Sequence, residues 1–170
     1  VDTELFNCQS KPALKLEKPV MAYVGRVSVE KNIEAFLNLE LPGSKLVVGG
    51  GPQLKKLQRN YPNVTFTGPK FGEELAAHYR SGDIFVFPSQ TDTFGLVMLE
   101  AMACGLPVAA YPVTGPLDVV AECTAGKMDW DLAKAVKQAL KADQKAARDH
   151  ALKFSWRACS DTFLSNLTPL

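Results

Sequence analysis

From Ile84 to Ala110 the chain reads as an apolar strand (Ile84-Phe85-Val86-Phe87), Pro88-Ser89, a polar loop from Gln90 to Thr93, and an almost wholly apolar helical run ending at Cys104-Gly105. A second strand, Pro107 to Ala110, follows at once. A helix apolar on nearly every side belongs in an interior, and strands apolar on both faces belong in a sheet that is covered twice. Between Asp92 and Asp118 the only charged side chain is Glu100. A lone carboxylate in a buried helix is costly unless something pairs with it. That cost points to a ligand held by this stretch.

The same strand–turn–helix pattern recurs upstream. Val20 to Val24 is an apolar run closed by Gly25-Arg26, and Ile33, Phe36, Leu37 and Leu39 follow at near-helical spacing until Pro42-Gly43. Leu46-Val47-Val48 leads through Gly49-Gly50-Gly51-Pro52 into a helix face marked by Leu54, Leu57 and Tyr61. Val64-Thr65-Phe66 leads through Gly68-Pro69 to a helix around Glu73 to Tyr79, and Ser81-Gly82-Asp83 introduces the fourth strand. Strands alternating with helices of this length predict an α/β fold, a parallel sheet with helices on both faces. Val1 to Pro19 is a polar leading segment. Beyond Ala110 the pattern predicts a loop from Tyr111 to Pro116, a short helix over Leu117 to Ala121, and helices over Trp130 to Leu140 and Asp143 to Phe154. Ser155-Trp156 opens a last helix carrying Trp156, Phe163 and Leu167, and the compressed segment after Gly115 leaves the late strand without a clear signal. No internal boundary divides the chain, so residues 1–170 are expected to form one domain.

Composition removes several functions. Nineteen basic residues against 18 acidic ones give a net charge of +1, which makes no bulk electrostatic case for nucleic acid. No apolar run approaches the roughly 18 residues of a membrane span, and no signal-peptide pattern opens the chain. A cytoplasmic location is expected. Cys8, Cys104, Cys123 and Cys159 have neither metal-site nor disulfide-framework spacing and are expected to be reduced packing residues. His78 and His150 read as surface residues. No Ser-His-Asp or Cys-His arrangement can be assembled, so no catalytic residue is assigned within the chain.

In an open parallel sheet, ligands bind beyond the carboxyl ends of the strands. The candidates are therefore the residues just after each strand. Gly25, Arg26 and Lys31 follow the first; Arg26 and Lys31 are either a phosphate clamp or solvated charges. Gly49-Gly50-Gly51 follows the second and is either a tight turn or a ligand-lining loop. It is not a dinucleotide fingerprint, because position 54 is Leu54 and no acidic residue ends the next strand. Gly68-Pro69-Lys70 follows the third. After the fourth, Gly95 stands at the start of the central helix, where free amides and the helix dipole favour an anion. Asp92 and Thr93 are either ligand contacts or helix caps. Glu100, about one and a half turns into the helix, is expected to project back towards such a ligand and to accept two hydroxyls.

Phe87-Pro88-Ser89, Thr93-Phe94-Gly95-Leu96 and Leu99-Glu100-Ala101-Met102-Ala103-Cys104-Gly105-Leu106-Pro107-Val108 closely resemble the donor-binding signature of the family-four, or group 1, retaining glycosyltransferases. Val24-Gly25-Arg26 with Glu30-Lys31, Gly49-Gly50-Gly51-Pro52 and Val64 to Gly68 match the family's other motifs in order. The likeness runs from Val1 to about Ala125. It implies a Rossmann-like lobe, the C-terminal half of a two-lobed GT-B enzyme whose N-terminal acceptor lobe is absent from this chain. It further implies that Arg26 and Lys31 hold a diphosphate, while Thr93, Phe94, Gly95 and Leu96 bind phosphate or sugar. Glu100 would bind ribose, Asp92 the transferred sugar, and Gly50 and Lys70 would line the remaining donor site, Lys70 near the base. The implied substrate is a UDP- or GDP-sugar, used without cofactor or metal, with a glycan or lipid acceptor bound mainly by the other lobe. The full-length protein is then expected in the cytoplasm or peripheral to the inner face of a membrane. The family's usual residue at the first acidic position is Glu, where this chain has the shorter Asp92. Two other functions fit the residues: a non-catalytic lobe used as an interaction module, and a sugar-nucleotide epimerase, which the central motif fits poorly.

Overall fold

The computed structural model describes residues 1–167. Six strands form one sheet: β1 (Val20–Val24), β2 (Ser44–Val48), β3 (Thr65–Phe66), β4 (Ile84–Phe87), β5 (Val108–Ala110) and β6 (Gly126–Met128). All neighbours are parallel, in the order β3-β2-β1-β4-β5-β6. Each parallel step needs a crossover, and the helices supply it: α1 (Ile33–Leu37), α2 (Leu54–Asn60), α3 (Gly72–Tyr79), α4 (Leu96–Ala103) and α5 (Thr114–Val120). Helices α6 (Leu132–Ala139), α7 (Gln144–Leu152) and α8 (Trp156–Ser165) follow β6. This is the Rossmann-like α/β architecture.

Side-chain alternation along the strands separates two cores. On one face Val20, Ala22, Leu46, Phe85 and Val108 pack with α3, α4, α5 and α7. On the other, Met21, Tyr23, Val47, Ile84 and Ala109 pack with α1, α2 and α6. The leading segment is part of the first core, since Val1 and Phe6 are buried. Arg148 of α7 fixes it by donating to the carbonyls of Phe6 at 2.5 Å, Ala103 at 2.7 Å and Thr3 at 2.8 Å.

Several expectations need correction. His78 and His150 are buried, not at the surface: a ring nitrogen of each meets a backbone carbonyl, Glu74 O at 2.6 Å and Val119 O at 2.7 Å. The polar sequence around each histidine hid this, because a satisfied imidazole can sit in a core. Helix α5 begins at Thr114 rather than Leu117; Pro116 falls in its first turn, where a missing N–H costs nothing. A late strand does exist. β6 is a three-residue edge strand of half-buried residues, too short and too polar to leave an apolar run. Cys104 and Cys123 are buried, whereas Cys8 and Cys159 are exposed. The last helix forms where Ser155 caps it, accepting from Ala158 N at 3.2 Å, but none of its residues is buried. No described helix is long and apolar enough to cross a membrane.

Several glycines are required by contact, Gly49 most tightly. A Cβ on Gly49 would stand 1.9 Å from the carbonyl oxygen of Gly25, and φ there is 144°. Gly49→Ala should therefore destabilise the domain by about 3 kcal/mol, read as a lower urea midpoint with an unchanged m-value.

Candidate functional site

The strand order reverses between β1 and β4, so the loops leaving these two neighbours diverge to opposite sides and open a crevice at their carboxyl ends. A cavity of about 410 Å³ lies there. Tyr23, Gly25, Arg26 and Lys31 line it from the β1 side, and Phe87, Ser89 and Asp92 to Val97 from the β4 side. A shallower hollow of about 210 Å³ shares Val24, Gly25 and Arg26 with it and continues past Gly50, Pro69, Lys70 and Phe71. The two form one trough across the ends of four strands.

The walls are tied together by polar contacts. Lys31 is ion-paired with Asp92 across the two loops, both side chains mostly buried. Asn32 Nδ2 donates to Pro88 O at 3.1 Å, and Thr91 Oγ1 to Glu30 O at 3.4 Å. Tyr23 OH donates to Arg26 O at 2.8 Å, which braces the turn after β1 from below. Burial, then the neighbouring Asp92 and Glu30 carboxylates, keep the Tyr23 phenol protonated well above its ordinary pKa. Arg26 projects into solvent with only a loose contact to Glu30, 3.8 Å from Nη1 to Oε1. Its guanidinium is available to a ligand.

Gly95 is the N-cap of α4 with φ 81°, and a Cβ there would meet Met98 Cε at 2.7 Å and Phe87 Cζ at 3.2 Å. No side chain among the described residues caps this helix. The alternative of Asp92 or Thr93 as a cap is thereby settled against, and the first amides of α4 face the cavity edge without one. Of the glycine run, Gly49 and Gly50 both line the shallow hollow, and Gly49 also makes the close approach to Gly25. Lys70 lines the same hollow while paired with Glu74. Thr93, Phe94 and Leu96 line the main cavity.

Glu100 is half-buried on α4, one turn beyond the Leu96 and Val97 that line the cavity. It is not among the residues lining either hollow. Its Oε2 accepts the Tyr79 hydroxyl at 2.8 Å, and Tyr79 is itself clamped between Phe6 and Phe85, ring centroids 5.8 and 5.9 Å away. The partner demanded by a carboxylate in this helix is thus supplied within the fold. Tyr23 and Phe71 also line the trough but carry no motif signal. Phe71 follows directly on the Gly68-Pro69-Lys70 turn, and that position is the one clue the sequence offers. Among the described residues no group of three or more His, Cys, Asp or Glu side chains is placed to hold a metal.

A family model described as glycosyl transferases group 1 matches residues 18–142. The sulfoquinovosyl transferase SQD2 of Arabidopsis thaliana is 38% identical, the match spanning 94% of this chain and 37% of that protein. A GDP-mannose-dependent alpha-mannosyltransferase of Mycobacterium tuberculosis is 34% identical over 88% of this chain and 42% of its own length. The chain therefore spans less than half the length of these curated relatives. Among solved structures, a sucrose-phosphate synthase from Thermosynechococcus elongatus superposes with a TM-score of 0.77 at 28% identity, over 97% of this chain and 49% of that one. The pneumococcal O-GlcNAc transferase GtfA, solved with UDP and GlcNAc, shares the fold with a TM-score of 0.72 at 17% identity, over 94% and 37% of the two chains.

The Tyr79–Glu100 contact makes a prediction with a definite sign. Burial raises the Glu100 carboxyl above the ordinary glutamate range, and the Tyr79 hydrogen bond offsets part of that rise. The charged form is the disfavoured one in the fold. The protonated carboxyl's contribution to stability is complete below the ordinary glutamate pKa and is lost as pH rises through the raised value. Tyr79→Phe removes the offset while keeping the ring. It should cost about 2 kcal/mol at pH 7 and less at pH 4, where the carboxyl is protonated; urea unfolding at the two pH values checks this.

Proposed function

This chain belongs to the group 1 glycosyl transferases, and we propose that it is the nucleotide-sugar-binding lobe of a retaining transferase of GT-B architecture. The full-length enzyme would move a sugar from a nucleoside diphosphate to an acceptor held mainly by a second lobe. The observation that carries this reading is the trough at the strand-order reversal. It brings two cations, Arg26 and Lys31, to the same cavity as the uncapped start of α4.

A diphosphate suits this arrangement. Arg26 offers a planar fork of donors from the rim, Lys31 a point charge from the wall, and the amides of Gly95 and Leu96 a further set at the helix start. When the sugar–phosphate bond breaks, negative charge grows on the departing diphosphate. Fixed cations and dipoles stabilise it without a metal. Glu100 would meet the ribose through Oε1, its other oxygen being held by Tyr79. The shallow hollow beside Gly50, Lys70 and Phe71 would take the base. One relative is named for GDP-mannose and one structural neighbour was solved with UDP, which supports a UDP- or GDP-sugar as the donor. The acceptor is a glycan or lipid, and the full-length protein works in the cytoplasm or peripheral to the inner face of a membrane.

Lys31 is paired with Asp92 in the structure, so a diphosphate arriving at Lys31 has to compete with that carboxylate. Binding is an exchange: the diphosphate takes the ammonium and Asp92 turns to the sugar. A thermal-shift panel of UDP, GDP and ADP with their sugar conjugates tests the reading. A ligand at 100 times its Kd stabilises by about 2.7 kcal/mol, and absence of a shift with every one would overturn the assignment. Lys31→Ala should abolish the shift, and in the full-length enzyme should lower kcat/KM by about 100-fold or more. Asp92→Asn should tighten binding of the nucleoside diphosphate alone, by removing the competitor, while weakening transfer. The 170-residue chain by itself should show little transfer in a radiolabelled-sugar assay, because the cleft needs both lobes.

A further inference from the structure

We propose that the Ser89 hydroxyl is a donor-binding group, hydrogen-bonded to an oxygen at the sugar–diphosphate end of the substrate. The inference starts from a comparison within the molecule. Among the described residues five polar or charged side chains are buried: Ser28, His78, Ser81, Ser89 and His150. Four are satisfied by the protein. Ser28 Oγ donates to Glu30 Oε1 at 2.6 Å, and Ser81 Oγ donates to Ala77 O and accepts from Leu14 N, both at 3.0 Å. The two histidines meet backbone carbonyls. Ser89 is 1% exposed, and its Oγ is the buried side-chain polar atom without a hydrogen-bond partner among the described residues. Buried polar groups in native proteins are overwhelmingly paired, so an exception needs a partner from elsewhere.

Its position says where that partner comes from. Ser89 lies two residues beyond the end of β4 and lines the main cavity together with Lys31, Asp92 and Gly95. The backbone beside it is held, since the Pro88 carbonyl accepts from Asn32. A hydroxyl has one proton to donate, and the cavity's cations call for an oxygen-rich anionic ligand, so the matching acceptor is a phosphoryl or sugar oxygen. Binding energy that depends on an otherwise unpaired buried group discriminates strongly against ligands that lack the matching atom. This inference rests on the reading of the cavity as a donor site.

Ser89→Ala gives the test, because it should move two measurements in opposite directions. Without nucleotide, removing an unpaired buried hydroxyl should raise Tm by about 2–4 °C. Isothermal titration with UDP, GDP, UDP-glucose and GDP-mannose should show about tenfold weaker binding of whichever of them the parent chain takes. A loss shared by the nucleoside diphosphate and its sugar conjugate assigns the contact to the diphosphate. A loss confined to the conjugate assigns it to the sugar. Either supports the proposal. Unchanged affinity, or a lower Tm, would mean that the hydroxyl is satisfied within the fold and would overturn it. If the parent chain binds none of the four, the donor-site reading fails first and this inference with it.

Discussion

The pairing of β1 with β2 on one side and β4 on the other governs the rest of the molecule. All five residues of β1 are buried, so this strand can only sit at the centre of a sheet covered on both faces. Placing it there forces the chain to build outward in two directions, β2 and β3 one way and β4, β5 and β6 the other. The connections on the two sides then leave the carboxyl edge in opposite senses. The trough is a by-product of that divergence rather than a feature added to the sheet. Close approach of the Gly25 and Gly49 backbones keeps its floor narrow.

Within this frame the Lys31–Asp92 pair has a cost and a use. Two mostly buried charges lose hydration that their attraction only partly restores, so such a pair adds little to stability. What it does is hold two loops from opposite sides of the crevice in register. It also fixes the position of a cation in the cavity that Tyr23 and Phe87 line. The Tyr79–Glu100 contact performs the same service for α4, one helix layer away.

The sheet was legible because its signals are local. Apolar runs closed by Gly25-Arg26, by Gly49-Gly50-Gly51-Pro52 and by Pro88-Ser89 mark β1, β2 and β4 without reference to the rest of the chain, and Ser155 announces α8. β6 was not legible, since Gly126-Lys127-Met128 becomes a strand only by pairing with β5. The candidate loops after the strands were legible for the same local reason. What they do with one another was not: that Asp92 meets Lys31 from 61 residues away, or that Tyr79 satisfies Glu100, depends on packing. The two histidines show the converse limit. Polar neighbours in sequence said surface, and the fold buried them.

Helix α8 has a practical consequence. Trp156, Phe163 and Leu164 are each more than 60% exposed on it, and Leu167 beyond it is 55% exposed. Large apolar side chains gathered on one short helix make a patch that water wets poorly, and a net charge of +1 offers almost no long-range repulsion to keep copies apart. Colloidal behaviour of the isolated chain is therefore set by its last helix. Concentrated samples will be stickier than the ordinary composition suggests, and one or two lysine substitutions on the outer face of α8, which break the patch and also raise the net charge above +1, are the direct remedy.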